Sequence, residues 1–272
     1  MRLPFLFAVA LLAAGIPRAY AIDHANLDEG RPLRLEDAYP VATGEWTVEA
    51  GAGFTLQRRG PDRGFFPVEV LHGAFPNFQL GLGSTLSTDP HEVDEPTKSG
   101  DLQLSALYNF NQETLSLPAF GLKLTVNFPT GVDSSGIDLE VKGIVTKSFG
   151  RLSLHLNAAY EFLTSDTDTR RVTVSSHGAP SITSDERDGR YKLAAGASYP
   201  VGAPQYTRTT VLGDLFAEQG SRRGEASVVG VEVGFRHQLT YRVVVDAGAG
   251  TELTGPAERA RFFVTAGVSI GF

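Results

Sequence analysis

The feature that most constrains this chain is a strict two-residue alternation of apolar with polar or small side chains, repeated along most of its length. From Trp46 to Gln57 one set reads Trp46, Val48, Ala50, Ala52, Phe54, Leu56. The other reads Thr47, Glu49, Gly51, Gly53, Thr55, Gln57. Successive side chains of a strand point to opposite faces, so this period gives a strand with one greasy and one wet face. Leu102 to Phe110 repeats it, as do Phe120 to Phe128 and Leu152 to Phe162. Weaker runs fall near residues 66–75, 77–86, 137–148, 190–199, 206–218, 226–239, 242–253 and 261–272. The spacing therefore predicts about twelve strands, each close to the roughly 9–11 residues that a tilted membrane strand needs. No stretch after the first twenty-odd residues shows sustained helical periodicity.

The links between these runs sort into two kinds. One kind is mostly short: Phe75-Pro76-Asn77, Asn111 to Pro118, Phe149-Gly150, Pro200 to Gln205 and Thr240-Tyr241, built largely from turn-forming residues. The other kind is longer and polar: Arg58 to Phe65, Ser87 to Gly100, Pro129 to Ser135, Leu163 to Gly189, Gln219 to Gly224 and Thr254 to Ala260. Short turns on the periplasmic side and long loops outside are the asymmetry of outer-membrane barrels. The expected fold is all-β, a transmembrane antiparallel up-and-down barrel. The alternative is a soluble periplasmic β-protein whose greasy faces pack against a second sheet.

The first segment reads as an export signal. Arg2 supplies the positive start, Leu3 to Ile16 is almost unbroken apolar chain, and Ala19-Tyr20-Ala21 fits a small-x-small cleavage site. The apolar run falls below the roughly 20 residues of a spanning helix. The domain reading is thus 1–21 signal peptide, 22–44 periplasmic leader and 45–272 barrel, in the outer membrane of a Gram-negative bacterium. Losing Arg2 and Arg18 with the signal moves the formal charge from −7 to −9, a poor match for nucleic acid. Cys is absent, which excludes thiol catalysis and Cys-ligated metal. A mean hydropathy of −0.08 excludes a bundle of membrane helices but suits a barrel, half of whose strand residues face a polar lumen.

Aromatic residues agree with the barrel. Phe66, Phe75, Tyr108, Phe110, Phe120, Phe128, Tyr160, Phe162, Tyr191, Tyr199 and Phe272 fall near strand ends, where interfacial girdles sit. Phe272 ends the run Phe262, Val264, Ala266, Val268, Ile270 and is expected to serve as the C-terminal signal read by the outer-membrane assembly machinery. Two further stretches carry a resemblance. Arg31-Pro32 is followed by Asp37-Ala38 and Gly44. Later, Phe128-Pro129-Thr130-Gly131 precedes Lys147-Ser148-Phe149-Gly150 and Leu154-His155-Leu156-Asn157. In these the chain resembles the outer-membrane transporter family named after the meta-pathway of phenol degradation. The resemblance implies a barrel associated with uptake of hydrophobic or aromatic small molecules; it implies no catalytic residues. From the residues themselves, Asp37 to Gly44 leads from the periplasm into the barrel and could fold partly into the lumen.

The alternation places a mixed set of polar residues on the lumen face: Glu49, Lys123, Asp138, Glu140, Lys142, His155, Asn157, Glu161, Arg190, Lys192, Arg208, Asp214, Glu232, Arg236, Arg242, Asp246 and Glu252. Two roles compete for them. Opposed charges pair and stiffen a small lumen, or they line an aqueous path and bias its selectivity. Ser153 and His155, two apart on one strand with Asn157 beyond, are the one arrangement that invites a nucleophilic reading. It is outweighed, because wet lumen faces are rich in Ser, His and Asn and a lipid hydrolase needs its site facing outward. His72 and His237 stand alone, and His24, His91 and His177 do not cluster, so neither metal nor cofactor is expected. The expected function is passive passage of small molecules. The alternatives are a structural or adhesive barrel using the loop Leu163 to Gly189, and an outer-membrane hydrolase. The expected partners are membrane lipid, the assembly machinery and a small solute.

Overall fold

The computed structural model describes residues 22–27, 31–88, 97–131, 136–164, 170–173, 181–184, 187–220 and 222–272. The export signal read in residues 1–21, together with His91 and His177, lies outside them. Twelve antiparallel strands form one closed barrel: β1 (Trp46–Gln57), β2 (Arg63–Phe75), β3 (Phe78–Thr88), β4 (Leu102–Asn109), β5 (Ala119–Phe128), β6 (Asp138–Phe149), β7 (Leu152–Phe162), β8 (Gly189–Val201), β9 (Thr209–Glu218), β10 (Val228–Thr240), β11 (Val243–Thr254) and β12 (Ala260–Gly271). Each strand pairs with its neighbours in sequence, and β1 closes the ring on β12 from Thr47↔Gly271 to Leu56↔Phe262. Three shorter strands lie outside this count. Thr97–Ser99 extends the pairing of β3, and Arg170–Thr173 with Ser181–Ser184 makes a hairpin within the link before β8.

Burial is inverted relative to a soluble protein. Leu80, Leu82, Leu104, Leu124, Leu154, Leu156, Val233 and Phe235 are exposed, while Glu49, Lys123, Glu140, Lys142, Glu161, Glu232 and Arg236 are buried. Charged groups are almost never buried in a soluble fold unless paired, whereas in a barrel the wet face encloses the lumen and the greasy face meets lipid. Eleven residues of β7 at about 3.4 Å per residue, tilted by about 40°, span roughly the 25 Å of the apolar band. Exposed aromatic side chains rim both ends. Tyr108 and Phe110 meet edge-on at 5.1 Å near one end, and Tyr160 and Phe162 at 4.9 Å near the other.

The two ends differ as the links predict. One carries the tight connections Pro76-Asn77, Gly150-Arg151 and Tyr241-Arg242, and also the start of β1 and the end of β12. Gly150 takes φ of 66°, the left-handed region that only Gly visits without strain. The strand beginning at 206 by alternation begins instead at Thr209, because Pro204–Tyr206 forms a single 3-10 turn. Arg208 is therefore a correction to the lumen set: it stands exposed before β9, where Pro204 and the turn use up residues that a strand would need. Arg242 sits in the tight turn before β11 rather than on a strand.

Candidate functional site

The lumen holds the chain's own N-terminal segment. The segment begins at the short-turn end, where the Ile22 N–H donates to the Tyr241 carbonyl at 3.1 Å. His24 Nδ1 meets Thr210 Oγ1 at 2.8 Å. Leu27, Leu33 and Leu35 pack with Leu212, Phe216 and Phe263 on the inner wall. Arg34 marks the far point of the excursion, beside Glu218 at the other end of β9. The chain then returns: the Ala38 N–H donates to Thr146 Oγ1 at 3.1 Å, the Val41 N–H to Gln79 Oε1 at 2.8 Å, and Gly44 pairs with Gly73 beside the start of β1. From the sequence, residues 22–44 are expected as a periplasmic leader, of which Asp37 to Gly44 could fold partly into the lumen. The contacts place residues 31–42 inside the barrel as a re-entrant plug.

Three charged plug residues meet the wall. Arg31 reaches Glu49 at 2.7 Å and Asp246 at 3.1 Å, on opposite sides of the β1–β12 seam. Arg34 pairs with Glu218 at 2.7 Å and with Glu232, and its guanidinium lies 3.9 Å over the Phe216 ring, a cation–π contact. Glu36 accepts from Lys123 at 2.8 Å and Lys142 at 3.3 Å. From there alternating charges run along the wall: Lys142 to Glu140 at 3.4 Å, Glu140 to Lys192 at 2.7 Å, Lys192 to Glu161 at 3.2 Å, and Glu161 to Arg190. Buried charges are costly unless paired, so each of these partners fixes where the plug can sit.

Neutral contacts set its register. Asn157 presents both halves of its amide to the backbone of one residue: Oδ1 accepts from the Glu36 N–H at 2.7 Å and Nδ2 donates to the Glu36 carbonyl at 2.8 Å. Two inner-wall glycines exist for close approach. A Cβ on Gly267 would stand 1.8 Å from an Arg31 nitrogen, and one on Gly73 would stand 2.1 Å from the Ala42 carbonyl oxygen. Asp37 accepts from the N–H groups of Leu27 and Tyr39, both at 2.8 Å. Burial pushes its carboxyl up to about 7, against those two N–H groups, which favour its charged form. Replacing Asn157 with Leu strands the backbone N–H and carbonyl of Glu36, at about 1–3 kcal/mol each. Amide exchange at residues 35–38 is expected to rise at least tenfold in N157L, and unchanged exchange would remove Asn157 as an anchor.

The remaining sequence-predicted residues divide by position. Asp214 is buried beside Glu232 on the next strand, and Arg236 is fully buried opposite Asp246. Asp138 and Glu252 sit at the long-loop rim, accepting from the N–H groups of Thr164 and Ala260. Ser153 and His155 share a face, but His155 bonds to Ser198 at 3.0 Å and Thr146 at 3.2 Å, while Ser153 bonds to Ser148 at 3.0 Å. The imidazole thus lies between two hydroxyls; a nucleophile–base–carboxylate arrangement would place an acid where Thr146 stands. His72 stacks on Trp46 at 4.0 Å, and His237 bonds to Thr209 at 2.8 Å. Beside the plug a cavity of about 570 Å³ remains at the short-turn end, lined by Asp37, Tyr39, His155, Ser198 and Thr210 among others.

A family model described as "Putative MetA-pathway of phenol degradation" matches residues 30–272. No curated protein matches the sequence. Among solved structures the barrel is similar to an outer membrane channel from Pseudomonas putida F1, with a TM-score of 0.63 and 16% identity over 91% of this chain and 100% of that chain. It is also similar to the NanC porin (TM-score 0.55, 10% identity, 83% of this chain and 98% of that one). For the KdgM porin the values are 0.52, 12%, 83% and 99%. At these identities the likeness establishes a common barrel fold.

Proposed function

The chain belongs to the family whose model its residues 30–272 match, the one named for the MetA pathway of phenol degradation, and from that premise we propose that it is a passive, non-enzymatic outer-membrane channel for small molecules. The observation that carries this reading is the inverted barrel: a charged, hydrogen-bonding interior enclosed by a greasy exterior, with space left beside the plug. In this reading the short-turn end faces the periplasm and the long loops face outward. Residues 1–21 direct export and are removed. Glu49, Lys123, Lys142, Glu232 and Asp246 hold the plug, and the other buried lumen charges set the polarity of the path beside it. Reconstitution of the mature chain into planar bilayers tests the proposal. Discrete current steps are expected; a correctly folded barrel, shown by a boiling-dependent shift in detergent gels, that passes no current would overturn it.

One observation favours the second reading, a closed structural or adhesive barrel. The plug is ion-paired to the wall at three points, Arg31, Arg34 and Glu36, and the pairs of Arg31 and Glu36 are buried. Solute-driven swelling of liposomes separates the two readings, since a permanently closed barrel gives none. The C-terminal strand supports a role for Phe272 in assembly. Its backbone exchanges two hydrogen bonds with Trp46, so it helps to close the ring. Deleting Phe272 is expected to lower the heat-shiftable membrane fraction several-fold while leaving export intact. An unchanged fraction would remove that role.

A further inference from the structure

Toward the long-loop end, plug and wall enclose a second cavity of about 170 Å³, lined by Arg34, Lys142, Asn157, Arg190, Lys192 and Glu218 above a floor of Ala159 and Ala194. Its cations are ion-paired, yet the pairs are lopsided. The side chains of Arg34, Arg190 and Lys192 are 34%, 28% and 26% exposed, whereas their partners Glu232, Glu161 and Glu140 are 3%, 6% and 6% exposed. The three cations line the cavity, and these three carboxylates do not. Net charge nearly cancels, but a solute in the cavity meets the positive heads first, and the nearer charge dominates at contact distance. Glu218, 27% exposed, is the one acid that shares the front.

We propose that this cavity is a binding site for a small organic carboxylate, a selectivity site on the long-loop side of the path. The inference rests on the channel reading above. Arg34 and Arg190 offer planar guanidinium forks that match a carboxylate, and Lys192 adds a point charge. Arg34 is held from behind by Glu232 and Phe216, so its fork is oriented before any solute arrives. The alanine floor leaves room for a hydrocarbon body. The volume is close to the roughly 150 Å³ of an apolar cavity that accepts benzene, which sets the size at one ring or a short chain. Because Arg34 comes from the plug and Arg190 and Lys192 from β8, the site is complete only with the plug seated.

Calorimetric titration of the detergent-solubilised mature protein with sodium benzoate tests this, with benzyl alcohol as the uncharged match. Saturable benzoate binding is expected, at least tenfold tighter than benzyl alcohol. The double variant R190Q/K192Q is expected to weaken benzoate at least tenfold and leave benzyl alcohol unchanged. If that variant loses its heat-dependent gel shift, K192Q alone, which keeps the Arg190–Glu161 pair, is expected to weaken benzoate several-fold. Equal binding of acid and alcohol, no saturable benzoate binding, or full binding by folded R190Q/K192Q would each overturn the proposal. Conductance in chloride alone is read separately. A barrel that conducts without binding benzoate sinks the site only, and one that binds benzoate without conducting sinks the channel only.

Discussion

Deleting residues 23–42 from the mature chain is expected to raise its single-channel conductance several-fold. The plug carries no barrel strand, so the twelve-strand ring and its closure by β1 and β12 remain. Gly44 and Gly73 keep their pairing, which holds the start of β1 in place. The deletion vacates the space now filled by Leu27, Leu33, Leu35, Ala38 and Val41, all buried. It also removes Glu36 from between Lys123 and Lys142. Current steps in planar bilayers, compared at equal salt, check this. Steps of wild-type size from a heat-shiftable deletion protein would mean that something other than this segment limits the path.

The second large effect separates the two faces of one strand. Leu156 is 50% exposed near the middle of β7, and its neighbour Asn157 is 4% exposed on the opposite face. Leu156→Arg is expected to destabilise the barrel in bilayers by about 2–4 kcal/mol, the cost of a cation at the lipid midplane. Guanidinium unfolding of liposome-inserted protein measures it. Leu156→Ala supplies the packing control, so that the extra loss in the Arg variant reports on lipid. A cost near zero for Arg would mean that this face meets water or protein, and the soluble sandwich would return as the fold.

The barrel was legible because alternation is a local signal. All twelve strands are found within about three residues of their runs; the late start at Thr209 traces to Pro204, and β2 begins early, at Arg63. Of the plug, only the entry of Asp37 to Gly44 into the lumen was legible as an option, because its structure is not local. Arg31, Arg34 and Glu36 have no period of their own and acquire meaning only against Glu49, Asp246, Glu232, Lys123 and Lys142, many of them far along the chain. Two signals were nevertheless present. Leu71, Leu107, Ile144, Leu212, Phe216, Val244 and Phe263 break the rule of a wet inner face, and all are buried. Several of them pack on plug residues, as Phe216 does on Leu33 and Leu35, and Ile144 on Ala38. Inward glycines such as Gly73 and Gly267 are the complementary sign: a wall thinned where another part of the chain presses against it. The exposure asymmetry of the Arg190 and Lys192 pairs could not be read from sequence, since both partners count equally there.

The plug leaves the lumen by the same end it entered and runs directly into β1 through Gly44. It is a tethered stopper and cannot be lost to solution. Once dislodged, it is leashed by a linker of a few residues and faces its socket at an effective concentration in the millimolar range, so recapture competes with any solute that has displaced it. Any opening that depends on displacing the plug would therefore be brief, its length set by how well the cargo competes with the leashed segment.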